Sequence, residues 1–186
     1  MSGQPASAPP AGSTASHGDG AVDPLLLRRA MGHFTTGVAI VTAHADGVAH
    51  GMTVNSLTSV ALDPPLVLVC LTRGARTTSA VESSGRFAIS ILSARQERLA
   101  ARFARRGEQH FEGLPVTFGA LGNPVVPDAL AQLECVVENP VPAGDHLVLI
   151  ARVLRAEFRA GEPLAFFSGR FCAVTDDGDE RAGWYR

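Results

Sequence analysis

The stretch from Gly51 to Leu71 constrains the fold more than any other part of the chain. Asn55, Ser56, Thr58 and Ser59 set four polar side chains within five positions, with apolar runs on either side. The chain then breaks at Asp63-Pro64-Pro65 and resumes as the six-residue apolar run Leu66–Leu71. Two consecutive prolines remove two backbone donors, so this crossing belongs at a sheet edge or corner. Polar groups buried between strands cost about 1–3 kcal/mol each unless they find partners. They either bridge neighbouring strands and turns or meet a planar ligand rich in heteroatoms.

The flanking pattern is one of many strands and few helices. Asp23-Pro24 is an N-cap followed by a residue tolerated in the first turn, and Leu26, Leu27, Ala30, Met31 and Phe34 repeat with helical spacing. A strand over Thr35–His44 turns at Ala45-Asp46-Gly47 into a second strand from Val48. Further strands are expected near 55–61 and 66–72, a short helix over 75–84, and a strand over Arg86–Leu92. Ser93 caps a helix running to about Arg106, with Leu99 and Phe103 on its core side. Arg95, Arg98, Arg102 and Arg105 form a stripe along that helix, either a solvated face or a source of one or two phosphate contacts. Residues 107–127, rich in Gly and Pro, read as a long loop able to cover a site. Strands follow near 129–139, 146–158 and 164–173, and Glu134 and Glu138 alternate with Leu133, Cys135 and Val137 to give the first of them one wet side. The pattern predicts a mainly β domain over 23–175, a closed or nearly closed antiparallel barrel. A leader over 1–22 is too poor in large apolar groups to fold, and 176–186 is a polar tail.

A net charge of −2 and a pI near 6.3 argue against nucleic acid or an anionic membrane as partner. All 16 basic residues are arginine, which excludes a Schiff-base or P-loop lysine. No apolar run approaches the roughly 20 residues needed to span a bilayer, and the N-terminus lacks the pattern of a signal peptide. Cytoplasmic residence is the expectation. Cys70, Cys135 and Cys172 lie in separate apolar runs without metal-ligand spacing, so no metal centre is expected and the thiols read as reduced core groups. The absence of Gly-x-Gly-x-x-Gly speaks against a Rossmann domain.

From Thr36-Gly37-Val38 through Gly51-Met52-Thr53, Asn55–Ser59 and Asp63-Pro64-Pro65-Leu66, the chain resembles the short-chain flavin reductases, the reductase components of two-component flavin-dependent monooxygenases. Gly144-Asp145-His146 is similar to that family's reduced-nicotinamide motif, and Phe166–Phe171 to its closing strand, where many members carry Tyr in the last place. The likeness covers roughly residues 25–175. It implies a split β-barrel of Greek-key type, normally a homodimer with the flavin near the interface. It also implies an NAD(P)H-dependent enzyme, NADH favoured, that reduces FAD or FMN for a separate monooxygenase or halogenase in aromatic hydroxylation or natural-product biosynthesis. A non-catalytic flavin-binding protein on the same barrel is the alternative; a pyridoxamine-phosphate-oxidase-like oxidase finds no support in this lysine-free block.

The cofactor contacts so implied are Thr36, Gly37, Val38, Asn55, Ser56, Leu57, Thr58, Ser59, Cys70, Leu71, Arg76, Thr77, His146 and Phe171. An isoalloxazine wants small polar partners along its pyrimidine edge, which Asn55–Ser59 offer, and aliphatic walls, which the strand Thr36–Val41 offers. Arg76-Thr77-Thr78 opens a helix, where N–H groups and a guanidinium favour phosphate; Ala75 stands where the family has a hydroxyl. His146, set by its Gly-Asp preface at a strand's mouth, is the candidate catalytic residue: it orients the nicotinamide or, as a lone His often does, serves the core. Asp145 orients that ring or holds the turn. His33 and His50 are weaker candidates; His44 and His110 read as loop residues, and His17 falls in the leader.

Overall fold

The computed structural model describes residues 21–107 and 110–174. The expected leader, apart from Ala21 and Val22, and the expected tail lie outside the described residues, as does His17. The first helix, α1 (Pro24–Met31), is capped by Asp23, whose side chain accepts the Leu25 N–H. It buries none of its residues, and Leu27 and Met31 face outward, as does Phe34 just beyond it. Then follow β1 (Thr36–Gly37), β2 (Ala39–Ala45), β3 (Val48–Val54), β4 (Thr58–Leu62), β5 (Pro65–Thr72), α2 (Arg76–Ser84) and β6 (Arg86–Ile91). Ser93 makes a reciprocal capping box with Gln96, and a short 3-10 turn leads into α3 (Glu97–Phe103). Two short strands, β7 (Thr117–Phe118) and β8 (Pro124–Val125), interrupt the expected loop. β9 (Ala131–Ala143) and β10 (His146–Phe158) are the longest strands, and β11 (Leu164–Phe167) and β12 (Arg170–Ala173) close the described chain.

The last two correct an expected single strand. Ser168 and Gly169 both have positive φ, the setting of a tight two-residue hairpin turn, so the segment folds back on itself.

The main sheet is antiparallel, in the order β3-β2-β6-β9-β10-β5-β4. β1, β11 and β12 form a second, smaller sheet. Of the closed or nearly closed barrel expected, the closed form does not occur: β3 and β4 are the two edges, and no ladder joins them. The physical reason lies at Ser56, whose hydroxyl donates to the Cys70 carbonyl at 3.1 Å and accepts the Cys70 N–H at 3.0 Å. The free edge of β5 beyond β4 is thus satisfied by a side chain where a closing strand would pair. β3 comes against β5 without a ladder between them.

Two apolar cores flank the sheet. One gathers Val41, Val69, Leu71, Val81, Phe87, Ile89 and Leu149; the other gathers Val38, Ile40, Leu92, Ala100, Phe103 and Leu164. Adjacent residues on β2 therefore feed opposite cores, as the two-residue period requires. Glu134 corrects the wet side expected of β9. It is buried and accepts the N–H groups of Ala120 and Leu121 at 2.9 and 2.6 Å, pinning the loop ahead of β8. Gly119 is needed there, since a Cβ would lie 2.6 Å from that carboxylate. Glu138 is exposed and pairs with Arg152.

Candidate active site

β5 strings the candidate residues together. Its odd-numbered side chains Val67, Val69 and Leu71 are buried, while Leu66, Leu68, Cys70 and Thr72 form a half-buried opposite face. Along it, Leu68 is paired with Thr58, Cys70 is bridged by Ser56, and Thr72 is paired with His146. Four residues at about 3.3 Å each span about 13 Å, the scale of a fused ring system with its side chain. Val148 and Ile150 of β10, also half-buried, extend this face sideways.

The polar block divides in two. Ser56 is committed to the backbone of Cys70, and Leu57 packs on the first core. Asn55, Thr58 and Ser59 are exposed, and no side-chain hydrogen bond ties them to another described residue.

Gly144 and Asp145 form the two-residue loop between β9 and β10, with Gly144 at φ 59°. The Asp145 carbonyl accepts the Arg73 N–H at 2.9 Å, which ties this turn to the loop entering α2. Nδ1 of His146 lies 2.7 Å from Oδ1 of Asp145, with the side chains 42% and 90% exposed. A carboxylate only accepts, so Nδ1 carries the proton and the Nε2 edge is left toward solvent. The hydrogen bond from His146, then its charge, hold the Asp145 carboxyl below the usual range; Arg106 adds a smaller share.

Beside this turn opens a cleft of about 1310 Å³. β3, the 72–77 segment, the end of α3 and the 110–118 segment line it. Arg76 and Thr77 begin α2 on one wall, with Thr77 buried, and no side chain caps that helix at Ala75. His50 faces them: burial first, then the charges of Arg76 and His44, hold its imidazole below the ordinary histidine range. His110 lies in a loop, as expected, and acts there as a clasp. Its ring nitrogens lie 2.8 Å from the carbonyls of Gly51 and Arg105, and its ring tilts over Phe103 at 5.2 Å. His44, also expected in a loop, instead lies in β2, edge-on to Phe118.

The structure thus places the expected residues in several different settings. Arg76 and Thr77 line the cleft, and His146 stands at its rim through Thr72 and Arg73. Asn55, Thr58 and Ser59 lie along the outer edge of β5, outside that cleft. Val38 and Leu71 are fully buried core groups, and the strand expected to wall a ring contributes Ile40 and Val41 to the cores instead. Gly37 is exposed, and the Thr36 hydroxyl is buried without a partner among the described residues. Phe171 packs edge-on to Phe166 at 5.5 Å. Of the arginine stripe, Arg105 reaches the cleft, Arg102 donates to the Glu112 carbonyl, and Arg95 and Arg98 are exposed. His33 meets the Phe167 ring at 6.2 Å on the surface. His110 and Phe103 build the cleft without a direct sequence signal of their own; Gly51, where a Cβ would strike Phe103, is the residue that marks them. Among the described residues no group of three or more His, Cys, Asp or Glu side chains is placed to hold a metal. No described helix is long and apolar enough to cross a membrane.

The model of the flavin reductase like domain matches residues 31–175. The chain is 38% identical over 173 residues to HsaB, the reductase subunit of a flavin-dependent monooxygenase of Rhodococcus jostii, covering 90% of this chain and 89% of that one. It is 45% identical over 145 residues to the FMN reductase (NADH) SmoA of Agrobacterium fabrum, covering 78% and 83%. Among solved structures, the Streptomyces globisporus NADH:FAD oxidoreductase SgcE6, in complex with NAD and FAD fragments, superposes with a TM-score of 0.81 at 35% identity. That match covers 90% of this chain and all 100% of the other.

Proposed function

The chain belongs to the family of flavin reductase like domains, and from this premise we infer that it is an NAD(P)H:flavin oxidoreductase, favouring NADH and acting on FAD or FMN. Its product is reduced flavin for a separate flavin-dependent monooxygenase or halogenase. The observation that carries the local assignment is the Asp145–His146 pair at the rim of the cleft.

The residues present fit a flavin. The uncapped first turn of α2 and the guanidinium of Arg76 suit its phosphate. Asn55, Thr58 and Ser59 offer uncommitted donors and acceptors for a pyrimidine edge, the orphaned Thr36 hydroxyl offers another, and the half-buried face of β5 and β10 offers an aliphatic wall. When bound, the two cofactors supply the hydride chemistry; the protein supplies orientation and excludes water. His146 presents its Nε2 edge to the nicotinamide end, and Asp145 fixes the ring so that this edge, and not Nδ1, faces the ligand. No proton transfer by His146 is required.

The remaining assignments belong to the same reading. The open sheet is a split barrel of Greek-key type, its gap between β3 and β4, supported by the approach of β3 to β5. Residues 23–175 form the folded unit. The protein works as a homodimer, supported by exposed apolar groups that include Leu62 and Phe158, each 89% accessible. Cytoplasmic residence is supported by three free thiols.

His146→Ala tests the assignment. It should keep its melting temperature and flavin affinity while kcat/KM for NADH falls roughly ten- to a hundredfold. Early melting with joint loss of flavin binding and turnover would make His146 a core group, and wild-type kinetics would remove it from the site.

A further inference from the structure

The cleft holds more positive charge and more room than a flavin phosphate requires. Its volume of about 1310 Å³ exceeds the roughly 300–1,000 Å³ of ordinary small-ligand pockets. The phosphate wall at Arg73, Arg76 and Thr77 is matched by a second pair, Arg105 and Arg106, brought in by the end of α3. Glu112 is the single carboxylate among the described lining residues. The Arg105 backbone is fixed by the His110 clasp, and Arg106 is near enough to the Asp145 turn for its charge to be felt there. The second pair thus lines the same cleft near the Asp145 turn, where its exposed guanidiniums suit a second phosphate. Phe118 adds an aromatic face, 49% exposed, with its ring braced edge-on by His44 at 5.2 Å. An accessible aromatic beside two cationic clusters suits a purine as well as phosphates.

We infer that this cleft takes the adenylate half of FAD, the part FMN lacks, with Arg105 and Arg106 on its phosphate and Phe118 under the adenine, so that the enzyme selects FAD over FMN. The inference rests on the reading of the chain as a flavin reductase. The same chemistry is present in the adenosine-diphosphate half of NADH, so the test separates the two sources.

Dissociation constants for FAD and FMN are measured by flavin fluorescence without nicotinamide, on the wild type, Arg105→Gln/Arg106→Gln and Phe118→Ala, with thermal midpoints for each. The wild type should prefer FAD by at least about tenfold, and both variants should lose most of that preference while FMN affinity stays within about twofold. Arg106→Gln alone, at an exposed side chain, should show part of the effect should the double variant melt early. Added salt should weaken FAD more than FMN. Equal FAD and FMN affinity in a wild type that still reduces FMN overturns the inference and leaves the flavin reductase reading intact; binding of neither flavin sinks both. A raised KM for NADH at saturating FMN, with the FAD/FMN ratio unchanged, assigns the arginines to the nicotinamide coenzyme and also overturns it.

Discussion

Ser56 on one side and Thr58 with Ser59 on the other should part company when mutated, although they sit within four residues of each other. Ser56→Ala deletes one bond donated to the Cys70 carbonyl and one accepted from its N–H, at 3.1 and 3.0 Å. Each lost bond is worth about 0.5–1.5 kcal/mol, and the half-buried Cys70 amide gains little water in exchange, so the cost is about 1–3 kcal/mol. Thr58→Val with Ser59→Ala removes two exposed hydroxyls with no described partner and keeps a β-branched residue on the edge strand. Its stability should stay within about 0.5 kcal/mol of wild type. Flavin binding should reverse the order, weakening at least tenfold, about 1.4 kcal/mol, in the double variant. Urea unfolding of the apo-protein and a fluorescence titration with flavin read the two effects separately. A double variant with wild-type flavin affinity would show that β4 does not meet the flavin. A Ser56→Ala protein as stable as wild type would show that the Cys70 bridge does not hold the edge of β5.

Two titrating groups give further predictions. A phosphate bound beside Arg76 offsets one of the charges that depress His50, so FMN should move the His50 midpoint upward in an NMR titration; an unmoved midpoint would take the phosphate away from α2. By linkage the depressed His50 favours the fold above the ordinary histidine pKa and loses that contribution as pH falls. Burial pushes the Cys135 thiol up to about 12 from 9.0, so its contribution to stability is fully present below pH 9 and fades as pH rises toward 12. A thiol reagent at pH 8 should therefore leave Cys135 unlabelled until the protein unfolds, and labelling of the native protein at that position would contradict its burial.

The order of elements was legible because strand periodicity, Gly and Pro punctuation and the Ser93 cap are local signals. The fate of the sheet edges was not, because it depends on Ser56 meeting Cys70 across 14 positions of chain. Glu134 misled for the same reason: alternation puts a carboxylate opposite the core, and only the distant Ala120 and Leu121 amides turn that face inward. At the site, Gly144-Asp145-His146 was readable as a turn delivering an imidazole, but its tie to Arg73 is tertiary. The strand after Thr36 looked like a ligand wall because apolar runs are alike in sequence whether they face a ligand or a core. The histidines at 44 and 110 owe their roles to partners on β3 and the 118 segment, which spacing alone does not reveal.

The most direct measurement is anaerobic mixing of the protein with NADH and one equivalent of FAD or FMN, followed at the nicotinamide and flavin absorption bands. A flavin reductase bleaches both bands together, one flavin reduced for each NADH oxidised, at a rate proportional to protein. Flavin that binds while the nicotinamide band stays constant, with NADH and NADPH alike, would contradict this function and leave a flavin-binding protein without reductase activity.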